Sequence, residues 1–179
     1  MFTTNKSVML LVDVQGQLAQ LMYEKNKLFA SLELMINAMK ILNVPILWME
    51  QIPSKLGKTI GDLSCLMDGV TPIEKVSFSC CKEPEFMNKF KALGRSQVLL
   101  TGIETHICVY QTGCELLNQG YQVQVAADCV SSRTKENKEI GLARLVQSGG
   151  QLTSVEMILF ELMQAARGEE FKQIVKLIK

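Results

Sequence analysis

The stretch Ser7-Val8-Met9-Leu10-Leu11-Val12-Asp13 is apolar without a break from Val8 to Val12 and then stops on a carboxylate. A strand covered on one face alternates apolar and polar side chains. An unbroken run reads instead as a strand covered on both faces, the setting of a parallel sheet between two helical layers. The sequence beyond it keeps alternating between short apolar runs and longer segments of helical period. Leu28, Leu32, Met35, Ile36, Met39 and Leu42 recur at three- and four-residue steps, which predicts a helix over 24–42 with one apolar stripe and places its methionines in the core. A strand over 45–50 follows, then the polar stretch 51–62, then a short strand over 73–76 that carries Lys75. A helix over 83–93, a strand over 98–103, a helix over 105–118 closed by Gly120, a strand over 123–127, a helix over 135–147, a last strand over 151–155 and helical segments from Glu156 complete the order.

Such alternation winds right-handed crossovers into a doubly wound, mostly parallel six-stranded sheet, a three-layer α-β-α, Rossmann-like architecture. Ligands then bind beyond the carboxyl ends of the strands, at the switch point of the winding. Asp13, Lys75 and the turn 102–108 all fall near that edge.

Length and charge bound the function. The 179 residues fit one domain, 1–179, at about 150 residues per domain, with no linker-like stretch or repeat inside it. Folding a 20.0 kDa chain should leave roughly 8,700 Å² exposed of about 29,000 Å², so neither metal nor disulfide is needed to hold the core. With Lys+Arg 19 against Asp+Glu 18 the net charge is +1, too balanced for a phosphate-tracking surface, and nucleic acid is not an expected partner. No apolar run approaches the ~20 residues of a membrane span, so no membrane partner is expected. The opening MFTTNKSVMLLVDVQ does not read as a signal peptide, because its apolar run is short and carries Asp13. The six cysteines are therefore expected as reduced thiols in a cytoplasmic protein, although an organellar compartment also fits. Cys65, Cys80, Cys81, Cys108, Cys114 and Cys129 contain no C-x-x-C pair and His106 stands alone, so no metal and no cofactor are expected.

Cys108 carries the sharpest chemical signal. The 98–103 strand delivers it to the first turn of a helix, where free N–H groups and the positive dipole end lower a thiol pKa and can stabilise an oxyanion. Asp13 and Lys75 supply a proton acceptor and a cation if the strand ends converge. Read by itself, a single cysteine at a helix start is more often a small buried apolar residue than a nucleophile.

The segment Leu100-Thr101-Gly102-Ile103-Glu104-Thr105-His106-Ile107-Cys108-Val109 resembles the nucleophile turn of the isochorismatase-like cysteine hydrolases. Val12-Asp13-Val14-Gln15 resembles that family's first-strand Asp motif. Glu74-Lys75 with Ser77-Phe78-Ser79 resembles its Lys motif, and Ala127-Asp128 with Ser131-Ser132-Arg133 its later signature. The likeness covers nearly the whole chain. It implies a triad of Asp13 as general base, Lys75 as electrostatic partner and Cys108 as nucleophile. It also implies a cis peptide between Ile103 and Glu104 that turns the backbone N–H groups of Glu104 and Cys108 into an oxyanion hole.

Family nicotinamidases hold a metal with an Asp and histidines after the second strand, where this chain reads Trp48-Met49-Glu50-Gln51-Ile52, so the resemblance is to a metal-independent branch. Relatives acting on isochorismate lack the cysteine, so Cys108 implies acyl transfer from a small amide or related carbonyl through a thioester. Loss of Asp13 or Lys75 is then expected to slow alkylation of Cys108. Trp48, Glu50, Phe78 and His106 are candidate pocket residues, each with a structural alternative. Gly57-Lys58-Thr59 lacks the earlier glycine of a phosphate loop and reads as a surface loop or lid, and Asp128 with Arg133 reads as a structural or subunit-contact pair. The resemblance, with ten methionines judged too many for one small core, predicts a homodimer or larger homo-oligomer. Two other readings stay open: a thiol redox or sensor protein, and a non-catalytic binding scaffold.

Overall fold

In the computed structural model, which describes residues 1–179, the Ser7–Val12 run is strand β1, buried along its whole length. It lies in the middle of the sheet. The other strands are β2 (Ile46–Gln51), β3 (Ile73–Lys75), β4 (Gln97–Ile103), β5 (Gln122–Ser131) and β6 (Gln151–Thr153), in the order β3-β2-β1-β4-β5-β6. Every pairing is parallel. The chain winds outward from β1 through β2 to β3, then returns to β4 and winds the other way, so the switch point falls between the carboxyl ends of β1 and β4.

Each face of the sheet buries its own core. On one side α2 (Lys25–Ile41), α8 (Val155–Met163) and α9 (Glu169–Ile178) contribute to a cluster of 26 buried apolar residues; on the other α5 (Pro84–Ala92), α6 (Tyr110–Asn118) and α7 (Lys135–Gln147) contribute to one of 18. This is the three-layer arrangement expected from the unbroken apolar strands. The exposed surface is 8620 Å², close to the scaling value for the mass, and all six cysteines are free thiols. No helix is long and apolar enough to cross a membrane.

Several segments depart from the sequence reading. A short helix, α1 (Gly16–Gln20), follows β1, and two more, α3 (Pro53–Leu56) and α4 (Gly61–Ser64), lie within and at the end of the polar stretch 51–62; all three are too short for a helical period to show. The 105–118 helix opens as a π-helical turn, Thr105–Val109, before α6 begins. Strand β5 runs on to Ser131, beyond the expected end at 127, because two steps along β4 from Leu100 to Gly102 face five along β5 from Val125 to Val130. The bulge admits the polar Asp128, which interrupts the apolar pattern. Strand β6 ends at Thr153, because Ser154 caps α8 by accepting from the Met157 N–H.

Gly102 explains how β4 comes so close to β1. Its φ is +107°, and a Cβ there would lie 2.0 Å from the carbonyl oxygen of Val12. Only glycine fits this position.

Candidate active site

Each strand of the central group ends in a residue that turns toward one point. Asp13 follows β1 with φ +52°; its N–H donates to Met49 O at 3.2 Å and its carbonyl accepts from Gln15 N–H at 2.8 Å, which turns the chain sharply and leaves the carboxylate at the sheet edge. Lys75 ends β3, and Cys108 lies in the π-helical turn after β4. The Lys75 ammonium sits 2.7 Å from Asp13 Oδ2 and 3.6 Å from Cys108 Sγ, with its side chain fully covered. It also donates to Gln51 Oε1 at 2.5 Å and to the carbonyls of Ser77 and Phe78, both at 3.1 Å. Asp13 Oδ1 is buried with no hydrogen-bond partner. An unpartnered buried carboxylate oxygen is costly, and such groups concentrate where a proton is to be received.

Asp13, Gln51 and Cys108 form one wall of a cavity of about 100 Å³, with Lys75 behind them, and its lining also includes Leu18, Leu56, Phe78, Ile103, Glu104 and Ile107. A larger cavity, about 440 Å³, lies at the opposite edge of the sheet beside Pro45, Ile46 and Arg95, which precede or begin their strands. It holds no thiol, so the smaller cavity is the candidate chemical site.

Burial raises the Asp13 carboxyl above the usual carboxylate range, and the Lys75 charge offsets only part of that. Burial works against the Lys75 charge as well, but Asp13 and the nearby thiols outweigh it and the ammonium is held more tightly than usual. The Cys108 thiol is pushed up to about 12, first by burial and then by the Asp13 carboxylate beside it. This corrects the expected lowered pKa. The helix-start field is outweighed because the sulfur is withdrawn from water and faces a like charge. Cys108 is a protonated thiol at rest.

Of the other candidates, Ile103, Glu104 and Phe78 line the cavity, and the Ile103–Glu104 peptide is cis. Trp48, Glu50 and His106 do not line it. Along β2 alternate residues face opposite layers, and Trp48 points into the 26-residue core, donating from Nε1 to Thr59 Oγ1 at 2.7 Å. Glu50 Oε1 accepts from the Thr59 N–H at 2.7 Å. Both residues therefore fasten the 57–59 loop from beneath. His106 Nδ1 pairs with Ser132 Oγ at 2.9 Å, and its backbone rests against Gly141 of α7, where a Cβ would come within 2.8 Å. Nor are Asp128 and Arg133 partners. Asp128 accepts from the Val155 N–H at 3.0 Å, whereas Arg133 Nε donates to Glu104 Oε1 at 3.1 Å.

Gln15 and Gln51 are the polar residues whose roles the sequence left unassigned. Gln15 Nε2 donates to Gln51 O at 3.1 Å and to Gly57 O at 2.6 Å, while its Oε1 accepts from the Gln51 N–H at 2.6 Å. It clamps the ends of β1 and β2 to the loop over the cavity. Gln51 Oε1 faces both the Lys75 ammonium and, at 3.9 Å, the Cys108 sulfur. The only sequence sign of these roles is that each glutamine sits at the end of a strand that also delivers a site residue or its neighbour.

The isochorismatase domain model matches residues 7–157. The secreted isochorismatase effector Isc1 of Phytophthora sojae is 38% identical over 179 residues, covering 98% of this chain and 85% of that protein. The isochorismatase domain-containing protein 2 of Danio rerio is 36% identical over 177 residues, covering 98% and 88%. Among solved structures, the MAR1 ribonuclease of Caenorhabditis elegans superposes with a TM-score of 0.93 at 30% identity, covering 99% of this chain and 91% of that one. With the domain match spanning β1 through the start of α8, this chain belongs to the isochorismatase-domain family.

Proposed function

We propose that the protein is a cysteine hydrolase that cleaves a small amide, or a related carbonyl compound, through a thioester on Cys108. The family to which it belongs includes hydrolases. The observation that carries the reading is the meeting of Asp13, Lys75 and Cys108, from three distant parts of the chain, with Asp13 and Cys108 on the wall of one small cavity and Lys75 directly behind them.

Because the thiol rests protonated, attack needs a base at the moment of bond formation. Asp13 takes the Cys108 proton as the sulfur bonds to the carbonyl carbon. The C=O electron pair moves onto oxygen, and the backbone N–H groups of Glu104 and Cys108 receive the resulting oxyanion. The intermediate collapses by expelling the nitrogen, to which Asp13 returns the proton, leaving the thioester and a free amine. Water then attacks the thioester, again giving its proton to Asp13, and collapse releases the acid as the sulfur recovers its proton. Lys75 keeps the Asp13 carboxylate ionised and oriented between these transfers. No step is assigned to a metal.

The ribonuclease activity named for the nematode relative asks for a seat for phosphate. Here the ammonium nearest the thiol is fully covered and already faces Asp13, Gln51 and two carbonyls, which supports a carbonyl substrate instead.

The test is turnover of a panel of small amides, carbamoyl compounds and esters, read as ammonia or acid release. Cys108→Ala should abolish it and Asp13→Asn should cost about a hundredfold or more. A chelator should leave it unchanged. Hydrolysis that survives Cys108→Ala, or that vanishes with chelator and returns with zinc, overturns the reading.

A further inference from the structure

Two facts about the cavity go beyond the chemistry of its thiol: its size and the charge of its walls. At about 100 Å³ it is well below the usual ligand pocket, and at roughly 30 Å³ per water it has room for about three waters. An amide group with a short chain fills that space. Leu18 from α1, Leu56 from α3, Phe78 from the loop after β3, Ile103 from β4 and Ile107 from the π-helical turn give it apolar walls.

The polar groups on the lining are two carboxylates, Asp13 and Glu104, with the thiol and the Gln51 amide. No cation faces the space. Lys75 is behind the wall, with its contacts taken up by Asp13, Gln51, Ser77 O and Phe78 O. Arg133 is not on the lining either; its Nε is ion-paired with the lining carboxylate of Glu104 at 3.1 Å. A carboxylate or phosphate on the substrate would lose its water beside two carboxylates whose cations are already engaged and would find no free cationic partner, and that penalty is large.

Resting on the hydrolase reading above, we infer that the substrates are short, uncharged aliphatic amides, and that amides bearing an acid group are excluded by the walls. The carbonyl takes the place beside Cys108, and the chain lies against Leu18, Leu56 and Phe78. The wall residues thus set chain length, and the lack of a free cation on the lining, with Lys75 and Arg133 already engaged by Asp13 and Glu104, sets charge.

Iodoacetamide and iodoacetate are nearly the same size and differ in one charge, so they read the cavity without any need for turnover. Mapped by mass spectrometry and normalised to the exposed thiol of Cys65 in the same sample, iodoacetamide should modify Cys108 at least about tenfold faster than iodoacetate. A ratio near one, or a preference for iodoacetate, overturns the inference and leaves the hydrolase reading standing. In parallel, amides from acetamide to hexanamide should be compared with malonamate and succinamate. Cys108-dependent hydrolysis should favour the short neutral chains, and Leu56→Ala and Leu18→Ala should each move the optimum to a longer chain. Hydrolysis confined to the acid-bearing amides overturns the inference alone. If no amide is hydrolysed, the hydrolase reading and the substrate class fall together, and the labelling ratio still decides the charge preference of the cavity.

Discussion

Lys75 carries its charge where no water reaches it, and the desolvation is offset by Asp13 Oδ2 at 2.7 Å and the three oxygens around it. Removing one member of such a pair leaves a buried charge without compensation, which costs about 3–5 kcal/mol, whereas removing both is far cheaper. Lys75→Met should therefore lower the urea midpoint sharply, and Asp13→Asn combined with Lys75→Met should recover most of the loss. If the single variant unfolds at the same midpoint as the double, the pair is not coupled as described. The thiol gives a second prediction. With Cys108 pushed up to about 12, its thiolate fraction grows about tenfold per pH unit through the whole range below that value. Alkylation should climb from pH 7 to 10 without a plateau; a plateau below pH 8 would show a lowered pKa. Asp13→Asn removes the negative neighbour that holds the thiol up, so labelling at a given pH should become faster even as turnover is lost. This reverses the slower labelling expected from the sequence. A base that accelerates turnover and a like charge that suppresses the resting thiolate are the same carboxylate, and only the geometry shows the second role.

At the scale of elements, the turn that carries Cys108 is supported from behind by α7. Gly141 lies against His106 and Thr105 so closely that a Cβ would come within 2.8 Å of backbone. Gly141→Ala should cost about 1–3 kcal/mol by overpacking and displace the π-helical turn, seen as a fall in both the urea midpoint and the rate of Cys108 labelling at fixed pH. Loss of stability with unchanged labelling would confine the effect to α7 itself. No pattern in the sequence marks this contact, because 35 positions separate Gly141 from His106 and the helical period of α7 is unaffected by which element it meets. The long elements were legible for the opposite reason. Strands β1 and β4 are buried throughout and carry unbroken apolar runs because both faces are covered, and the 24–42 stripe follows the step of one helix. Trp48 and Glu50 show the limit of such reading. Their place at the end of β2 was visible, but which layer each side chain faces depends on strand register, and register sends both toward Thr59.

At the scale of the molecule, the methionine argument for assembly does not stand as the sequence made it. Met9, Met22, Met35, Met39, Met49 and Met67 are all buried within the single chain, Met49 in the smaller core and the other five in the larger. What remains uncovered includes Met157 and Phe160 on α8 and Leu152 on β6 at the sheet's edge. A homo-oligomer is therefore still the proposed state; light scattering at micromolar protein should give a multiple of 20.0 kDa, and a monomer mass would remove it. The covered ammonium has one more effect, on salt. Throughout the proposed cycle the proton moves only among Asp13, Cys108 and the reacting atoms, so Lys75, the carboxyl group and the sulfur or oxyanion sum to zero at every stage. Such a site keeps the same net charge before, during and after reaction, and its neutral substrate is not steered by the surface. Raising the ionic strength from 0.1 to 1 M shortens the screening length from about 10 Å to about 3 Å, yet kcat and kcat/KM should both stay flat across that range. A rate that falls with salt would mean that a charge enters or leaves the site during turnover.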